Sequence, residues 1–466
     1  MDMMSRLGKG GRRLLGLAAI VAGLFAVAWA QDFSFFRIEG DFEAGFGARA
    51  VASGDINGDG WLDIVVANND DDSVTVLLGI DGFSFAEPIA YAVGAGPTDV
   101  RVVDVNGDGH LDIVTADEVD DSISVLLNNG DGNFGPAIAS ATGLGPAAVV
   151  VEDLDGDGIV DVATADNLDE TVTIQFGVGN GTFVNRQTII VLGEPLALAA
   201  ADLNDDGLVD LIVVNSTGGI DESGSIRVLE SLGGGVFDPL PEVVSETFFF
   251  PVAVAVADLN ADTFLDLVVV NDEGDSIAVL LGNGDLTFDE GADYSVGSFP
   301  GAVVVADFNV DGKLDVATSN FFSDNVTVLA GAGDGILEEA VPFEVGSGPI
   351  DLATADIDRD GRPDLIAVSN DDGTVAVLLN LLGGLPTQTP TVSVPTPTPT
   401  VEPVACVGDC SGDGEVTVDE ILTMVNVALG SGSVDACLAG DSNRDGDITV
   451  DEILTAVNNA LSGCGR

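Results

Sequence analysis

The chain has 466 residues, 46% of them apolar, with 60 Gly, 18 Pro and only 14 Lys plus Arg against 78 Asp plus Glu. That length suits one large domain and a small one. The net charge of −64 argues against a nucleic-acid partner, whose phosphates would be repelled.

At the N-terminus Arg6, Lys9, Arg12 and Arg13 precede an apolar run from Leu14 to Val27, and Ala28-Trp29-Ala30 sets small residues before a cut at Gln31. Residues 1–30 therefore read as a secretory signal peptide, with an uncleaved anchor as the alternative and Arg12-Arg13 leaving a twin-arginine route open. The run is short for a membrane span, and no later segment qualifies. The expected location is secreted, extracellular or at the cell surface.

From Asp55 onward an acidic nonapeptide, D-x-(N/D)-x-D-(G)-x-x-D, occurs seven times, beginning at Asp55, Asp104, Asp153, Asp202, Asp258, Asp307 and Asp356. The spacing is 49 residues except for one interval of 56, and so strict a period means a repeat architecture. In the second copy Thr98 to Val103 reads as a strand, followed by the acidic loop and by strands over Leu111 to Ala116 and Ser122 to Leu127. Asn129-Gly130-Asp131-Gly132 then signals a hairpin into a weaker fourth strand ending near Gly143. Inner strands of Val, Ile and Ala with few charges fit sheets buried on both faces. Four strands per repeat predict an all-β fold, a seven-bladed β-propeller; a parallel β-helix has shorter coils. The last repeat lacks its fourth strand, and Phe33-Ser34-Phe35 with Gly45-Phe46-Gly47 aligns with Phe83-Ser84-Phe85 and Gly94-Ala95-Gly96. The N-terminal segment should thus complete blade seven, removing open edges.

Within each loop, positions one, three, five and nine carry side-chain oxygens and position seven offers a carbonyl, the grammar of a Ca²⁺ site. The first loop supplies Asp55, Asn57, Asp59, Asp63 and the Trp61 carbonyl, and the second Asp104, Asn106, Asp108, Asp112 and His110. The third has Asp153, Asp155, Asp157, Asp161 and Ile159; the fourth Asp202, Asn204, Asp206, Asp210 and Leu208. The fifth has Asp258, Asn260, Asp262, Asp266 and Phe264; the sixth Asp307, Asn309, Asp311, Asp315 and Lys313; the seventh Asp356, Asp358, Asp360, Asp364 and Arg362. Hard oxygen donors without sulfur or imidazole select Ca²⁺ over transition metals. In the fifth loop Thr263 replaces the glycine of position six, so a strained, weaker site is expected there.

Residues 386–404 are rich in Pro, Thr and Val, which predicts a stiff, extended linker. All four cysteines, Cys406, Cys410, Cys437 and Cys464, fall in the final segment, 405–466. In an exported chain they suggest two disulfides, with three connectivities open. Two further acidic loops follow: Asp409, Ser411, Asp413, Glu415, Thr417 and Glu420, then Asp441, Asn443, Asp445, Asp447, Thr449 and Glu452. Glu415 and Asp447 would act through their carbonyls. Ile421, Leu422, Val425 and Leu429, matched by Ile453, Leu454, Val457 and Leu461, give each following helix an apolar face.

The loops DINGDGWLD, DVNGDGHLD and DFNVDGKLD, followed by VTVLLG or SVLLNNGDGNF, resemble FG-GAP or VCBS-type repeats, the seven-bladed propellers also found in integrin α chains. The resemblance covers Gln31 to about Leu385. It implies structural Ca²⁺, up to seven ions, on the lower face and partners on the opposite one. The final segment resembles a type I dockerin, a small α-helical module with two EF-hand-like loops, which implies two more Ca²⁺ and a cohesin-like partner. It departs from that pattern in having Glu at position twelve, and Val418-Asp419 and Val450-Asp451 where dockerins often carry Ser-Thr.

Catalytic candidates are scarce. His110 is the only histidine and stands in a calcium loop, as does Lys313, the only lysine after residue 30. The extra residues of the long interval fall in Asn215 to Ser225 and Glu246 to Phe250. Both segments belong on the face opposite the acidic loops, where Phe248, Phe249, Phe250, Phe299, Phe321 and Phe322 would share one sector. Sizeable exposed apolar patches mark interaction sites; local packing of the longer loops is the alternative. The reading is a non-catalytic binding or adhesion module with a protein or glycan ligand. The alternative is a dockerin-borne polysaccharide lyase or glycosidase.

Overall fold

The computed structural model describes residues 33–38, 42–216, 224–243, 248–381 and 418–428, with residues 448, 453 and 456. The signal segment, the linker, all four cysteines and the ligand side chains of both C-terminal acidic loops lie outside the described residues. So do residues 217–223 and 244–247, which hold most of the fourth repeat's extra length. The chain divides into two units, residues 1–387 and 388–466.

In the first unit seven antiparallel sheets follow the repeat one for one. Blade two has strands Pro97–Val103, Asp112–Asp117, Ser122–Leu126 and Ile138–Ala141. Its second strand starts at Asp112 rather than Leu111, because Asp112 is the first residue paired with the inner strand, opposite Val103. In all seven blades the second strand, such as Asp63–Asn68 or Asp364–Ser369, is buried along its whole length, which is what Val, Ile, Leu and Ala on both faces require. The core lies between blades. Its clusters join consecutive repeats, as where Ile56, Val65 and Val76 of blade one meet Val100, Ile113 and Leu126 of blade two. Each such side chain contributes about 1.5–3 kcal/mol when removed from water.

Blade seven has Pro349–Ala355, Asp364–Ser369 and Thr374–Asn380. Its outer strand comes from the N-terminus in two pieces, Phe35–Arg37 and Phe42–Glu43, both antiparallel to Thr374–Asn380. Phe36 pairs with Leu379, and Phe42 with Val375. The expected closure is therefore present, displaced two residues from Phe33. The seam is reinforced at the inner strands, where the Val51 N–H donates to Asp351 Oδ2 at 2.7 Å and Asn370 Nδ2 to the Ala48 carbonyl at 3.0 Å.

The second unit contains the helix Val418–Ala428. Met424, Ile448 and Ala456 are buried together, with Ile421, Val427 and Ile453 packed against them. Ile421 and Ile453 thus lie where the apolar pattern set them, while Met424 at the centre was not among the expected residues. The side chains of Leu422, Leu429, Leu454, Val457 and Leu461 lie outside the described residues. Among the described residues, no helix is long and apolar enough to cross a membrane.

Acidic loops and the opposite mouth

Each acidic loop joins the first strand of a blade to the second, and all seven are built by the same hydrogen bonds. The carboxylate at position one takes the N–H of position six, from Gly60 to Asp55 at 2.8 Å through to Gly361 to Asp356 at 2.9 Å. The side chain at position three takes the N–H of position five, and that at position five the N–H of position seven. Position six has φ between +79° and +88° in every copy, the left-handed region where glycine carries no Cβ penalty. In the fifth loop Thr263 holds that conformation at +79° and Ala261 stands at +59°. For a β-branched residue this is a strained geometry, yet Asp258 still receives the Thr263 N–H at 2.9 Å.

Position nine opens the second strand and is fully buried. Asp63 receives the N–H of Ile56 at 2.8 Å on one oxygen and of Gly79 at 2.7 Å on the other. Asp112, Asp161, Asp210, Asp266, Asp315 and Asp364 repeat both contacts. Burial pushes Asp63, Asp112, Asp161 and Asp315 up to about 6 and Asp364 to about 7, with Asp210 and Asp266 moved the same way. The backbone donors oppose that shift, and neighbouring loop carboxylates add to it.

Carboxylate oxygens of Asp153, Asp155 and Asp161 lie within 4.8 Å of one another, as do those of Asp356, Asp358 and Asp360. Asp55 Oδ1 and Asp358 Oδ2 are buried without a hydrogen-bond partner. Such orphaned anionic atoms fit a cation better than they fit a solvated turn. The seventh loop carries its own cations. Arg362 pairs with Asp360 and donates through Nε to the Asn380 carbonyl at 2.9 Å, and Arg359 stacks over the Trp61 ring of loop one at 4.0 Å. Position two, which the ligand pattern does not mark, is apolar in every copy: Ile56, Val105, Leu154, Leu203, Leu259, Phe308 and Ile357 are all buried in the core.

At the other end of the blades a second sevenfold ladder surrounds the mouth of the axial channel. The residue after each second strand donates its N–H to the carbonyl of the residue before an inner strand, as from Asn69 to Gly47, Asp272 to Phe250 and Phe321 to Phe299. Aspartates of the same loops clamp the neighbouring Gly-x-Gly turns, as where Asp120 takes the Ala95 N–H and Asp72 the Gly96 N–H, both at 2.9 Å.

The six phenylalanines do not share one surface. Phe248 is 1% exposed and packs in the core with Ile212, Ile226, Leu267 and Leu280, so the expectation that it lies on the surface is corrected. Phe249 and Phe322 are 57% and 64% exposed. Phe322 stacks edge-on against Phe299 at 4.6 Å and Phe321 at 5.0 Å. Phe250, Phe299 and Phe321 line the channel mouth.

Fold and loops together define a closed seven-bladed propeller whose every blade carries one acidic loop between its first two strands. The chain belongs to the FG-GAP-like repeat family, whose model matches residues 55–115, 104–164, 153–213, 202–269, 258–318 and 311–367. No curated protein matches the sequence. Among solved structures, BBS1N, crystallised in complex with ARL6DN, is 13% identical over 75% of this chain and 98% of its own, with a TM-score of 0.54. A protein from Lactobacillus plantarum is 17% identical over 67% and 89%, at 0.51. A catalytically inactive virginiamycin B lyase from Staphylococcus aureus, crystallised with quinupristin, is 12% identical over 75% and 99%, also at 0.51. At these identities the likeness is one of fold.

Proposed function

We propose that the chain is an exported, calcium-stabilised propeller that acts as a non-catalytic binding module through the mouth opposite its acidic loops. The observation that carries this reading is the exposure of Phe249, Phe299 and Phe322 on one sector of that mouth. At the Phe299 position, blades one, two, three and seven have the glycines Gly47, Gly96, Gly145 and Gly348. Phe46, Val119, Leu144 and Leu168 are also exposed on this rim in blades one to three, but several rings gather only at blades five and six, and rings left in water favour a partner that covers them.

The acidic loops serve the scaffold. Positions one, three, five, seven and nine of each would hold Ca²⁺, which supplies charge neutralisation to carboxylates that burial disfavours. His110 and Lys313, the scarce candidates for proton transfer, stand in those loops and not at the mouth, which supports a binder over an enzyme. The dockerin-like segment would bind two further ions and tether the ring to a cohesin-type or surface partner.

The test is depletion of the protein by immobilised extracellular polysaccharides and surface proteins. Retention without product release is expected, and a chain carrying Phe249→Ser and Phe322→Ser should keep its melting temperature and lose retention. Both side chains are exposed, so little stability is at stake. Unchanged retention would remove the aromatic sector from the account, and product release would favour a polysaccharide-active enzyme.

A further inference from the structure

The axial channel is a cavity of about 700 Å³ with two unlike walls. Blades one, two and seven contribute Arg49, Asp99, Arg101 and Asp351, whereas the inner strands of blades three to six contribute only Ala, Val, Leu, Gly and Pro. Arg101 is already paired with Asp99 at 3.0 Å, and Asp99 also receives the Val149 N–H. On the apolar side one corner of the mouth differs. Asp272, Phe250, Phe299 and Phe321 all line it. Hydrogen bonds hold their backbones together: the Asp272 N–H to the Phe250 carbonyl at 3.1 Å, the Phe321 N–H to the Phe299 carbonyl at 2.9 Å, and the Phe299 N–H to the side-chain Oδ1 of Asp275 at 2.9 Å.

Two features of this corner carry a cost that the fold does not require. Phe250 and Phe299 sit at φ +52° and +54°, where Gly47, Gly96, Gly145 and Gly348 stand in other blades at +65° to +69°. A side chain with a Cβ costs roughly 1–2 kcal/mol in that conformation, and strain of this kind persists at functional sites. Asp272 is half-buried, and among the described residues its carboxylate accepts no hydrogen bond. Desolvation, with Glu273 and Asp275 nearby, pushes it up to about 6. An unpaired carboxylate in a mouth also lined by Phe250, Phe299 and Phe321, in a chain of charge −64, suits a cation.

We propose that this corner binds a small organic cation, its ammonium group against Asp272 and the rings of Phe250, Phe299 and Phe321, its apolar body along the Ala/Val/Leu wall. The inference rests on the reading that the upper mouth is the binding face, and it names a ligand class for the inner part of that face. The cavity volume is that of a small-molecule site, and Phe249 and Phe322 remain on the outer rim for a larger partner.

Calorimetric titration of the calcium-loaded full chain with choline and with its uncharged carbon isostere, 3,3-dimethylbutan-1-ol, tests the proposal. Choline should bind at least about tenfold more tightly than the isostere. Asp272→Asn should abolish that preference, and Phe250→Gly, which restores the residue of four other blades, should weaken both ligands without loss of melting temperature. Equal affinities, no measurable choline binding, or a preference that survives Asp272→Asn would overturn it. Asp272→Asn should leave retention through Phe249 and Phe322 unchanged, so the two readings fail separately.

Discussion

Removing calcium with EDTA at pH 7.5 is expected to lower the melting temperature of the propeller by about 25 °C. A ligand held only by the folded state, at a free concentration a hundredfold above its Kd, adds about 2.7 kcal/mol per site. Seven such sites add about 19 kcal/mol, and a ring of this size unfolds with an entropy near 2.1 cal/mol/K per residue, which gives that shift. The effect should depend on pH with a definite sign. Burial lifts Asp63, Asp112, Asp161 and Asp315 to about 6 and Asp364 to about 7 in the fold without metal, and moves Asp210 and Asp266 in the same direction, against about 3.9 for an unfolded Asp. Between those values the folded state binds more protons than the unfolded one, so stability falls as pH rises from about 4 to about 7. Metal-free protein should therefore melt lower at pH 7.5 than at pH 5, and the gap between EDTA and calcium samples should widen over that range. Coincident melting curves at both pH values would count against structural calcium.

Deletion of residues 33–43 should be nearly as damaging, for a different reason. Those residues provide the outer strand of blade seven, and their side chains bridge to both neighbours. Phe35 packs edge-on against Phe343 at 5.1 Å and Phe308 at 6.0 Å, whereas Phe42 meets Phe85 of blade one at 4.8 Å. Truncation uncovers the edge of Thr374–Asn380, a row of unpaired backbone groups next to buried Val375, Val377 and Leu379. Such an edge recruits other chains. The expected outcome is a melting temperature lowered by more than about 10 °C together with aggregation visible by light scattering. Alanine at Phe35 and Phe42 is the milder test, costing about 2–4 kcal/mol each, at or below the range for fully buried rings because both are partly exposed. A truncated chain that stays monomeric with unchanged melting would contradict closure through the N-terminal strand.

Much of the ring was legible in the sequence because its period, its inner-strand composition and its turn glycines all follow from backbone geometry. The displaced N-terminal strand could be read from a motif, Phe-x-Phe followed by Gly-x-Gly, that the last repeat lacks. The Phe248-Phe249-Phe250 run was less legible. Three consecutive rings in a loop carry no periodicity, and only packing decides that Phe248 enters the core between blades four and five while Phe249 faces water. The apolar residue at position two of every loop lies between two ligand positions, and its burial in the core follows from packing and not from the ligand pattern. Asp272 and Phe250 gave no local signal of their partnership, which arises from a ladder joining segments 22 residues apart.

The proposed division of labour between the two faces sets ions beneath the ring and ligands above it. Equilibrium dialysis of the full chain against labelled calcium at pH 7.5 tests it most directly. Seven ring loops and two C-terminal loops predict about nine bound ions per chain. Two ions or fewer would mean that the ring loops stand empty, and would contradict the account.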